Sequence, residues 1–390
     1  MDYAFAPPVG SAGDLEGSFH ALLAARPNTR VLEPSPPDPG SLRWFVKQGL
    51  QDLTVNDPTN PSSRIESLIL ASHANKTGML AMPLTATISD EINYDVLAKA
   101  YADNQNVLTI PPGLFPTTAD GGARLPLTVH IVGCSVGRAP EFLTLLQQCL
   151  GRVTITAPKY AHVAYAYPTP GGRVQMEYMA YEFSQYYPTP VRRSTLVNGF
   201  STNAAHRLID GGAIPKGTWE TWVPDPMPKK GDEVGAFYPI AFDPAWKLVP
   251  PVHSLNRGRL FLYAEDVPVI RHIDGDGPKN SAPAATRRDF VKQALLKDSR
   301  YTPSHPYPVY RRFGFATLDD MMKDLDWVDK SGDGDWTGSR IGYTITVPIT
   351  DPANPKRLIC NHYPPGGAAP HVGMSDSNDR LFARVEAPAP

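Results

Sequence analysis

Proline is the residue that most constrains what this chain can fold into, because it supplies 42 of the 390 residues, about twice its usual share in proteins. It lacks a backbone N–H and breaks the interior of a helix, so a bundle of long helices is excluded. Hydrophobic residues make up 42% and charged residues 19% of the chain, which excludes wholesale disorder. We therefore expect a folded protein with many loops, turns and edge strands.

The charge balance excludes some classes of partner. The chain has 37 basic and 39 acidic side chains, a net charge of −2, which gives no electrostatic reason to expect binding to nucleic acid or to an anionic membrane. The N-terminus lacks the pattern of a signal peptide, and the apolar runs are too short to span a bilayer. Three cysteines cannot form a dense disulfide framework and suit a reducing compartment. We expect a cytoplasmic protein.

Up to about residue 165, short apolar segments alternate with amphipathic ones. The spacing predicts helices over 14–25, 41–53, 89–104 and 140–150, and strands over 29–32, 65–71, 107–110, 127–132 and 153–156. Continuous apolar strands are typical of a sheet buried on both faces, and their alternation with helices favours a mostly parallel sheet. We expect an α/β fold over 28–165, preceded by a helical arm over 1–27.

The remainder, 166–390, holds most of the prolines and is predicted to be a β-rich elaboration or a second domain. The pattern predicts a hairpin of 163–167 with 174–183, strand pairs 260–264 with 267–272 and 343–349 with 358–361, and helices over 285–297 and 317–325. We expect the tail after Pro364 to be loosely ordered, as chain termini often are. This half is where a protein partner would bind.

The residues that indicate a catalytic function directly follow two of the predicted strands. The strand at 65–71 is followed by Ser72-His73-Ala74, and the strand at 127–132 is followed by Gly133-Cys134-Ser135. Because the carboxyl ends of parallel strands line the ligand crevice of an open sheet, we expect His73 and Cys134 to lie side by side. Their separation of 134 − 73 = 61 residues leaves room for a loop, a helix and a crossover between neighbouring strands.

These two stretches resemble the caspase-like cysteine peptidases, including the bacterial CHAT and self-cleaving toxin types, in which one strand ends in a His and the next in the nucleophilic Cys. The resemblance covers about residues 28–165. It implies a caspase-like sheet and a cysteine endopeptidase that needs no cofactor, acts on a protein or peptide, and uses His73 and Cys134 as catalytic residues. The backbone N–H groups of Ala74 and Cys134 would form the oxyanion pocket. The family usually has Gly after its His, so Ala74 is a departure that bears on the geometry of that pocket.

Two alternative functions remain open. The stretch from Gly133 to Gly137 fits G-x-S-x-G, the nucleophile elbow of α/β-hydrolases, which would make Ser135 the nucleophile of a serine esterase. Its acid and base would come from a set of later residues: Asp210, Asp243, His253, His272 and His362. A non-catalytic scaffold that keeps the α/β core is the other alternative.

Three clusters have some of the residue types of a metal site. Oxygen ligands recur every second residue from Asp329 to Asp335, as in a calcium loop, but Arg340 occupies the position where such a loop needs Glu. A hairpin turn explains the cluster of His272, Asp274 and Asp276 as well as a metal does. The pair of Cys360 and His362 has no further cysteine nearby in the sequence. We therefore predict no bound metal.

Overall fold

A computed structural model describes the chain apart from residues 15, 35–39, 52–64, 88–90, 117–124, 203–207, 210–211, 214–216, 218, 221–222, 224, 226–232, 236–258, 271–272, 274–276, 331, 333, 352, 366–368 and 389–390. The chain divides into two compact units. The first comprises Met1–Met179 and Ile359–Pro390, and the second comprises Ala180–Leu358. This division differs from the predicted boundaries at 27 and 165, because the first unit takes up both the N-terminal arm and the C-terminal tail.

The first unit is built on a six-stranded, mostly parallel sheet flanked by helices, which agrees with the predicted α/β class. In spatial order its strands are β2 (Thr29–Val31), β1 (Asp2–Phe5), β3 (Ser67–Ala71), β7 (Leu127–Val132), β8 (Val153–Pro158) and β21 (Phe382–Val385). The first five strands run parallel, and β21 pairs antiparallel with β8. All five residues of β3 are buried, which explains its unbroken apolar sequence.

Helices cover both faces of this sheet. Neighbouring residues of a strand point to opposite faces, so two adjacent residues of β1 contact different helices. Ala4 packs in a core cluster with Leu22 of helix α1 (Ser18–Ala25). Its neighbour Phe5 stacks on Phe45 at 5.4 Å. Phe45 begins a π-helical turn (Phe45–Gly49) that continues helix α2 (Leu42–Trp44). The predicted cap Ser41 accepts a hydrogen bond from the backbone N–H of Trp44.

The other helices of the sheet domain follow the predicted pattern closely. Helix α4 (Pro140–Leu150) has the predicted bounds. Helix α3 (Tyr94–Asp103) is capped by Asn93 and begins later than the predicted residue 89. The loop from β3 contains two short strands, β4 (Ala74–Asn75) and β5 (Met79–Leu80), which form a small antiparallel sheet with β6 (Ile92–Asn93).

Three expectations for the first unit are wrong. The N-terminal arm is not only helical, since β1 lies inside the parallel sheet between β2 and β3. Residues 107–110 form no strand; Leu108 and Ile110 are buried, and the N–H of Ile110 binds the carbonyl of Leu150 at the end of α4. The tail after Pro364 contains the edge strand β21, whose carbonyl at Val385 accepts a hydrogen bond from Gln147.

The first unit also contains an antiparallel layer. Strand β9 (Ala161–Thr169) pairs with β10 (Gly172–Tyr187) in the predicted hairpin. The part of β10 up to Met179 pairs with β19 (Cys360–Tyr363), which in turn pairs with β20 (His371–Val372). In this register Glu177 lies opposite Asn361.

The second unit is rich in β-structure, as predicted. Its strands are the end of β10, β11 (Leu208–Ile209), β12 (Gly212–Ala213), β13 (Glu233–Gly235), β14 (Arg259–Ile270), β15 (Asp326–Asp329), β16 (Trp336–Pro348), β17 (Thr350–Asp351) and β18 (Asn354–Leu358). Its helices are α5 (Arg193–Thr202), α6 (Ala284–Leu295), α7 (Val309–Arg312) and α8 (Leu318–Asp324), with a 3₁₀ turn at Ser299–Tyr301.

Both predicted strand pairs of the second unit are wrong. Residues 260–264 and 267–270 are not paired with each other but belong to the single long strand β14, which pairs with β16 through an irregularity after Val267. Strand β16 pairs with β10, β14 and β15. The segment at 358–361 is divided between β18, which pairs with β17, and β19 in the first unit. A pattern of alternating apolar residues predicts where strands lie in the sequence. It does not predict which strands pair, because pairing depends on long-range packing.

Candidate functional site

The ladder between β3 and β7 sets the geometry of the two predicted strand ends. Ala71 pairs with Val132, an offset of 132 − 71 = 61 residues, and the N–H of Ser72 continues the ladder by binding the carbonyl of Val132 at 3.0 Å. His73 comes two residues after Ala71, and Cys134 comes two residues after Val132. The two predicted catalytic residues are therefore at the same edge of the sheet.

Gly133 lies where the two strand ends come closest together. A Cβ atom at this position would be 2.7 Å from the carbonyl oxygen of Ser72 and 2.8 Å from the Cβ of Ala74. Only glycine fits such an approach without displacing backbone. The two segments predicted to supply the oxyanion N–H groups, at Ala74 and Cys134, thus adjoin the same close contact.

His73 lies on the exposed side of this edge, and its backbone is fixed on both sides. Its N–H donates to the carbonyl of Gly13 at 3.0 Å, and its carbonyl accepts from the N–H of Ala81 at 2.8 Å. Its ring meets the ring of Phe19 edge to face, with centroids 5.5 Å apart. A fixed backbone and one aromatic neighbour hold the imidazole at the sheet edge while leaving it open to solvent.

Cys134 is half-buried, and its thiol donates a hydrogen bond to the backbone carbonyl of His162, with Sγ 3.3 Å from the oxygen. A carbonyl oxygen accepts from a thiol but repels a thiolate, so this contact belongs to the protonated side chain. Beyond it the chain forms a 3₁₀ turn (Val136–Arg138) and then α4. Cys134 therefore lies on the turn that leads from the strand into the helices.

Ser135, the alternative nucleophile, has a left-handed backbone with φ 51°, which agrees with the strained turn expected of a nucleophile elbow. Its side chain does not agree with that role, because Ser135 is only 2% exposed, whereas an elbow exposes its hydroxyl. Of its predicted partners, Asp210, Asp243, His253 and His272 lie outside the described residues. His362 is buried and stacks on His371, with ring centroids 5.0 Å apart.

The other two cysteines differ from Cys134 in their surroundings. Cys149 and Cys360 are both fully buried, and no disulfide involves any of the three. Burial raises the pKa of the Cys149 thiol to about 12. Because the thiolate is the reactive form, Cys149 is expected to be inert near neutral pH.

A buried network that the sequence analysis did not predict lies in the same unit. We call Arg26, His162, Glu177, Asn361 and Tyr363 the Glu177 cluster. Glu177 is 1% exposed, and one of its carboxylate oxygens accepts hydrogen bonds from Arg26 at 2.5 Å and from His162 Nε2 at 2.9 Å. The other oxygen accepts from Asn361 at 3.1 Å and from Tyr363 at 2.8 Å. Both oxygens are thus fully satisfied.

The charges of this cluster stabilise one another. Burial alone would raise the pKa of Glu177, but the positive charge of Arg26 and the hydrogen bonds from His162 and Tyr363 hold that pKa well below its usual range. Burial and the adjacent carboxylate raise the pKa of Tyr363. Glu177 is therefore ionised at neutral pH. Tyr363 stays protonated and donates a hydrogen bond to Glu177. The sequence carries no signal that marks this position, because strand β10 contains a second glutamate, Glu182, which is only partly buried.

The structure bears on the predicted absence of a metal only within the described residues. They contain no group of three or more His, Cys, Asp or Glu side chains arranged to hold a metal ion. The carboxylate of Asp329 accepts hydrogen bonds from the backbone N–H groups of Gly332 and Gly334, so it closes a turn of the chain. Ser331, Asp333, Asp274 and Asp276 lie outside the described residues. No helix in the described part of the chain is long and apolar enough to cross a membrane.

Comparisons with family models, with curated proteins and with solved structures find no match to this chain.

Proposed function

We propose that the chain is a caspase-like cysteine peptidase in which Cys134 is the nucleophile and His73 the general base and acid. The observation that carries the proposal is the register of β3 and β7, whose offset of 61 residues equals the separation of His73 and Cys134. Neighbouring parallel strands ending in His and Cys are the arrangement that the resemblance implies. The half-buried position of Cys134, against the 2% exposure of Ser135, favours the thiol over the hydroxyl.

The reaction would begin with movement of the thiol. Cys134 would rotate its Sγ away from the carbonyl of His162 and pass its proton to His73, which leaves a thiolate. The thiolate would attack the carbonyl carbon of the peptide bond and form a tetrahedral intermediate, whose oxyanion would accept hydrogen bonds from the backbone N–H groups of Ala74 and Cys134.

Two proton transfers would complete the cycle. The protonated His73 would give its proton to the leaving amine as the C–N bond breaks, which leaves an acyl group on Cys134. His73 would then take a proton from a water molecule, and the resulting hydroxide would attack the acyl carbon. This attack would form a second tetrahedral intermediate, whose collapse would break the C–S bond and release the carboxylic acid. His73 would return its proton to the thiolate of Cys134, so no external redox partner or cofactor is needed.

Alkylation of the full chain with iodoacetamide at pH 7.5, read by mass spectrometry, tests the dyad without knowledge of the substrate. We expect Cys134 to be modified first and the buried Cys149 and Cys360 to remain unmodified. We expect His73→Ala to slow modification of Cys134 by about tenfold or more, and to move its pH profile toward that of an ordinary thiol near pH 8.5. Equal rates and equal pH profiles with and without His73 would refute the dyad.

Two variants separate the proposal from its alternatives. Turnover of a mixed peptide library should be lost in Cys134→Ala and retained in Cys149→Ala, the control for loss of a thiol. A serine hydrolase would instead lose activity in Ser135→Ala and react with a fluorophosphonate. A non-catalytic scaffold would turn over no peptide, and its Cys134 would alkylate no faster than a free cysteine.

A further inference from the structure

A cavity of about 300 Å³ lies in the first unit, on the side of the parallel sheet that carries His130 of β7. This volume is at the lower end of pockets that hold small molecules. The described residues of its wall include the Glu177 cluster and Asp376, and they include neither His73 nor Cys134. The cavity therefore does not contain the two candidate catalytic side chains, although His162 in its wall accepts the hydrogen bond from Cys134 through its backbone carbonyl.

The side chains of this wall carry an excess of negative charge. Three carboxylates, Asp2, Glu177 and Asp376, line the cavity together with one guanidinium, that of Arg26. With both histidines neutral, the formal charge of the wall is −3 + 1 = −2. Glu177 pairs with Arg26 within the cluster. Asp2 and Asp376 supply the remaining formal charge of the wall, and Arg384, which is not among the described wall residues, interacts electrostatically with Asp376. An anionic ligand would be repelled from such a wall, and a cation would be attracted.

The hydrogen bonds show that the histidines also present acceptors. His130 lies with Nδ1 2.6 Å from the Asp376 carboxylate and 2.7 Å from the hydroxyl of Thr156. This contact lowers the pKa of Asp376, so the carboxylate is ionised and Nδ1 is the protonated nitrogen. In the neutral ring Nε2 then carries a lone pair, and no hydrogen bond reaches it from the described residues.

His162, which also lines the cavity, has a similar arrangement. Its Nε2 donates to Glu177, so in the neutral ring Nδ1 is the acceptor. The residue is 5% exposed, and its Nδ1 has no hydrogen-bond partner in the described part of the chain. A buried polar atom without a partner destabilises the fold, and a ligand that donates a hydrogen bond to Nδ1 would remove this penalty.

Apolar residues complete the wall, among them Val372, Met374 and Phe382. They provide a surface for an alkyl chain between the polar groups. A bare divalent cation fits this wall poorly, because the described residues offer no set of three metal-ligating side chains. A ligand that combines hydrogen-bond donors, positive charge and a short alkyl chain fits every part of it.

We propose that this cavity binds a small organic cation, an alkyl amine or alkyl guanidine, through Asp376, His130 and His162. The aliphatic part lies against Val372 and Phe382, and the cationic head donates to the carboxylate and to the imidazole nitrogens. The site is independent of peptidase activity, so failure of either proposal leaves the other intact.

Calorimetric titration of the full chain with agmatine at pH 7.5 tests this site, with glutarate as an anionic ligand of similar length. We expect saturable one-to-one binding of agmatine and none of glutarate. Asp376→Asn should weaken agmatine binding by about tenfold or more, the loss expected for one charge-assisted hydrogen bond. Asp379→Asn removes the same charge from an exposed residue outside the cavity and should leave the affinity unchanged.

A second variant keeps the test decisive if Asp376→Asn alters the fold. Val372 is 62% exposed and lines the cavity, so Val372→Lys would supply a competing ammonium without disturbing the core. We expect it to abolish agmatine binding. The proposal is overturned if agmatine does not bind saturably, if glutarate binds as well, or if Asp379→Asn weakens binding as much as Asp376→Asn does.

Discussion

The edge of the parallel sheet and the Glu177 cluster belong to the same unit but hold their polar side chains in opposite ways. At the edge, the His73 ring is exposed and the Cys134 thiol makes a weak hydrogen bond to a carbonyl. In the cluster, Glu177 is 1% exposed and accepts four hydrogen bonds. Buried groups that satisfy each other's hydrogen bonds stabilise a fold. A reactive group instead needs a weak hydrogen bond that it can break before it reacts. The comparison separates residues suited to stability from residues suited to chemistry.

His162 connects these two regions. Its backbone carbonyl accepts the hydrogen bond from Cys134, and its ring is held by Glu177. The residue that accepts the hydrogen bond from Cys134 is therefore anchored by its side chain in the Glu177 cluster. If the comparison is correct, changes in the cluster lower the stability of the whole unit, and changes at the edge have smaller effects on folding.

The largest effect is expected for Glu177→Gln. This variant keeps the shape of the side chain but removes its charge, which leaves the largely buried Arg26 without its ion-pair partner, and the free energy of unfolding should fall by about 3–5 kcal/mol. The native pKa of Glu177 is lowered, so its stabilisation is present above the unfolded pKa of about 4.3 and is lost on acidification. Urea unfolding at pH 7 measures the loss.

Glu66→Gln is the matched control. Glu66 pairs with the N-terminal amine at 3.2 Å and is 59% exposed, and such a surface pair contributes about 0–1 kcal/mol. Equal losses in the two variants would show that burial does not distinguish the Glu177 cluster from an exposed ion pair.

The next effect concerns His362, which is buried against His371. Burial and this neighbour lower the pKa of His362 to about 4, compared with about 6.5 in the unfolded chain. The unfolded state therefore binds the proton more tightly between these pH values, and stability is lost as the pH falls through this window. From pH 7 to pH 5 the loss from this one group is about 2 kcal/mol.

His362→Phe provides the measurement, because it removes the titrating ring. The free energy of unfolding of this variant should fall less steeply than that of the wild type between pH 7 and pH 5, and the two curves should run parallel above about pH 7.5. Identical slopes throughout would contradict the depressed pKa.

These residues also show which parts of the molecule could be predicted from the sequence. Strand β7 and helix α4 have the predicted bounds because each has a local signal, a continuous apolar run in one and helical spacing after Pro140 in the other. The Glu177 cluster has no such signal, since Arg26, Asn361 and Tyr363 lie 151, 184 and 186 residues from Glu177. Strands β1 and β21 were not predicted for a related reason, because their place in the sheet depends on pairing with β2, β3 and β8, which are distant in the sequence.

Among the predicted candidate residues, the placement of His73 and Cys134 at one edge of the sheet follows from a general rule of parallel sheets. The carboxyl ends of neighbouring parallel strands lie at the same edge of the sheet. Two strand ends recognised in the sequence therefore predict a single site at that edge. The hydrogen bond from Cys134 to His162 could not be predicted in this way. It depends on the path of the chain after β8, where the sequence gives no turn signal specific enough to fix one carbonyl.

A smaller effect is expected for Gly133→Ala at the sheet edge. The added methyl would meet the backbone of Ser72 at 2.7 Å and Ala74 at 2.8 Å, and such overpacking costs about 1–3 kcal/mol. Gly113→Ala is the control, because no atom lies within 4 Å of the corresponding position there. If Gly133→Ala causes no loss of stability, the two strand ends are not in close contact. If Gly113→Ala causes an equal loss, the cost at Gly133 does not come from the clash.

The smallest effect is expected for Ala74→Gly, and its value lies in combination with Gly133→Ala. Alone it should cost about 0.5–1 kcal/mol, because glycine adds backbone freedom to the unfolded chain. In the Gly133→Ala background it removes one of the two clashing atoms, so the same change should cost less or become stabilising, with a coupling energy of about 0.5 kcal/mol or more. Strictly additive losses, measured by urea unfolding of the four proteins, would mean that residues 74 and 133 do not touch. Coupling would establish the contact between the two segments on which the proposed oxyanion pocket depends.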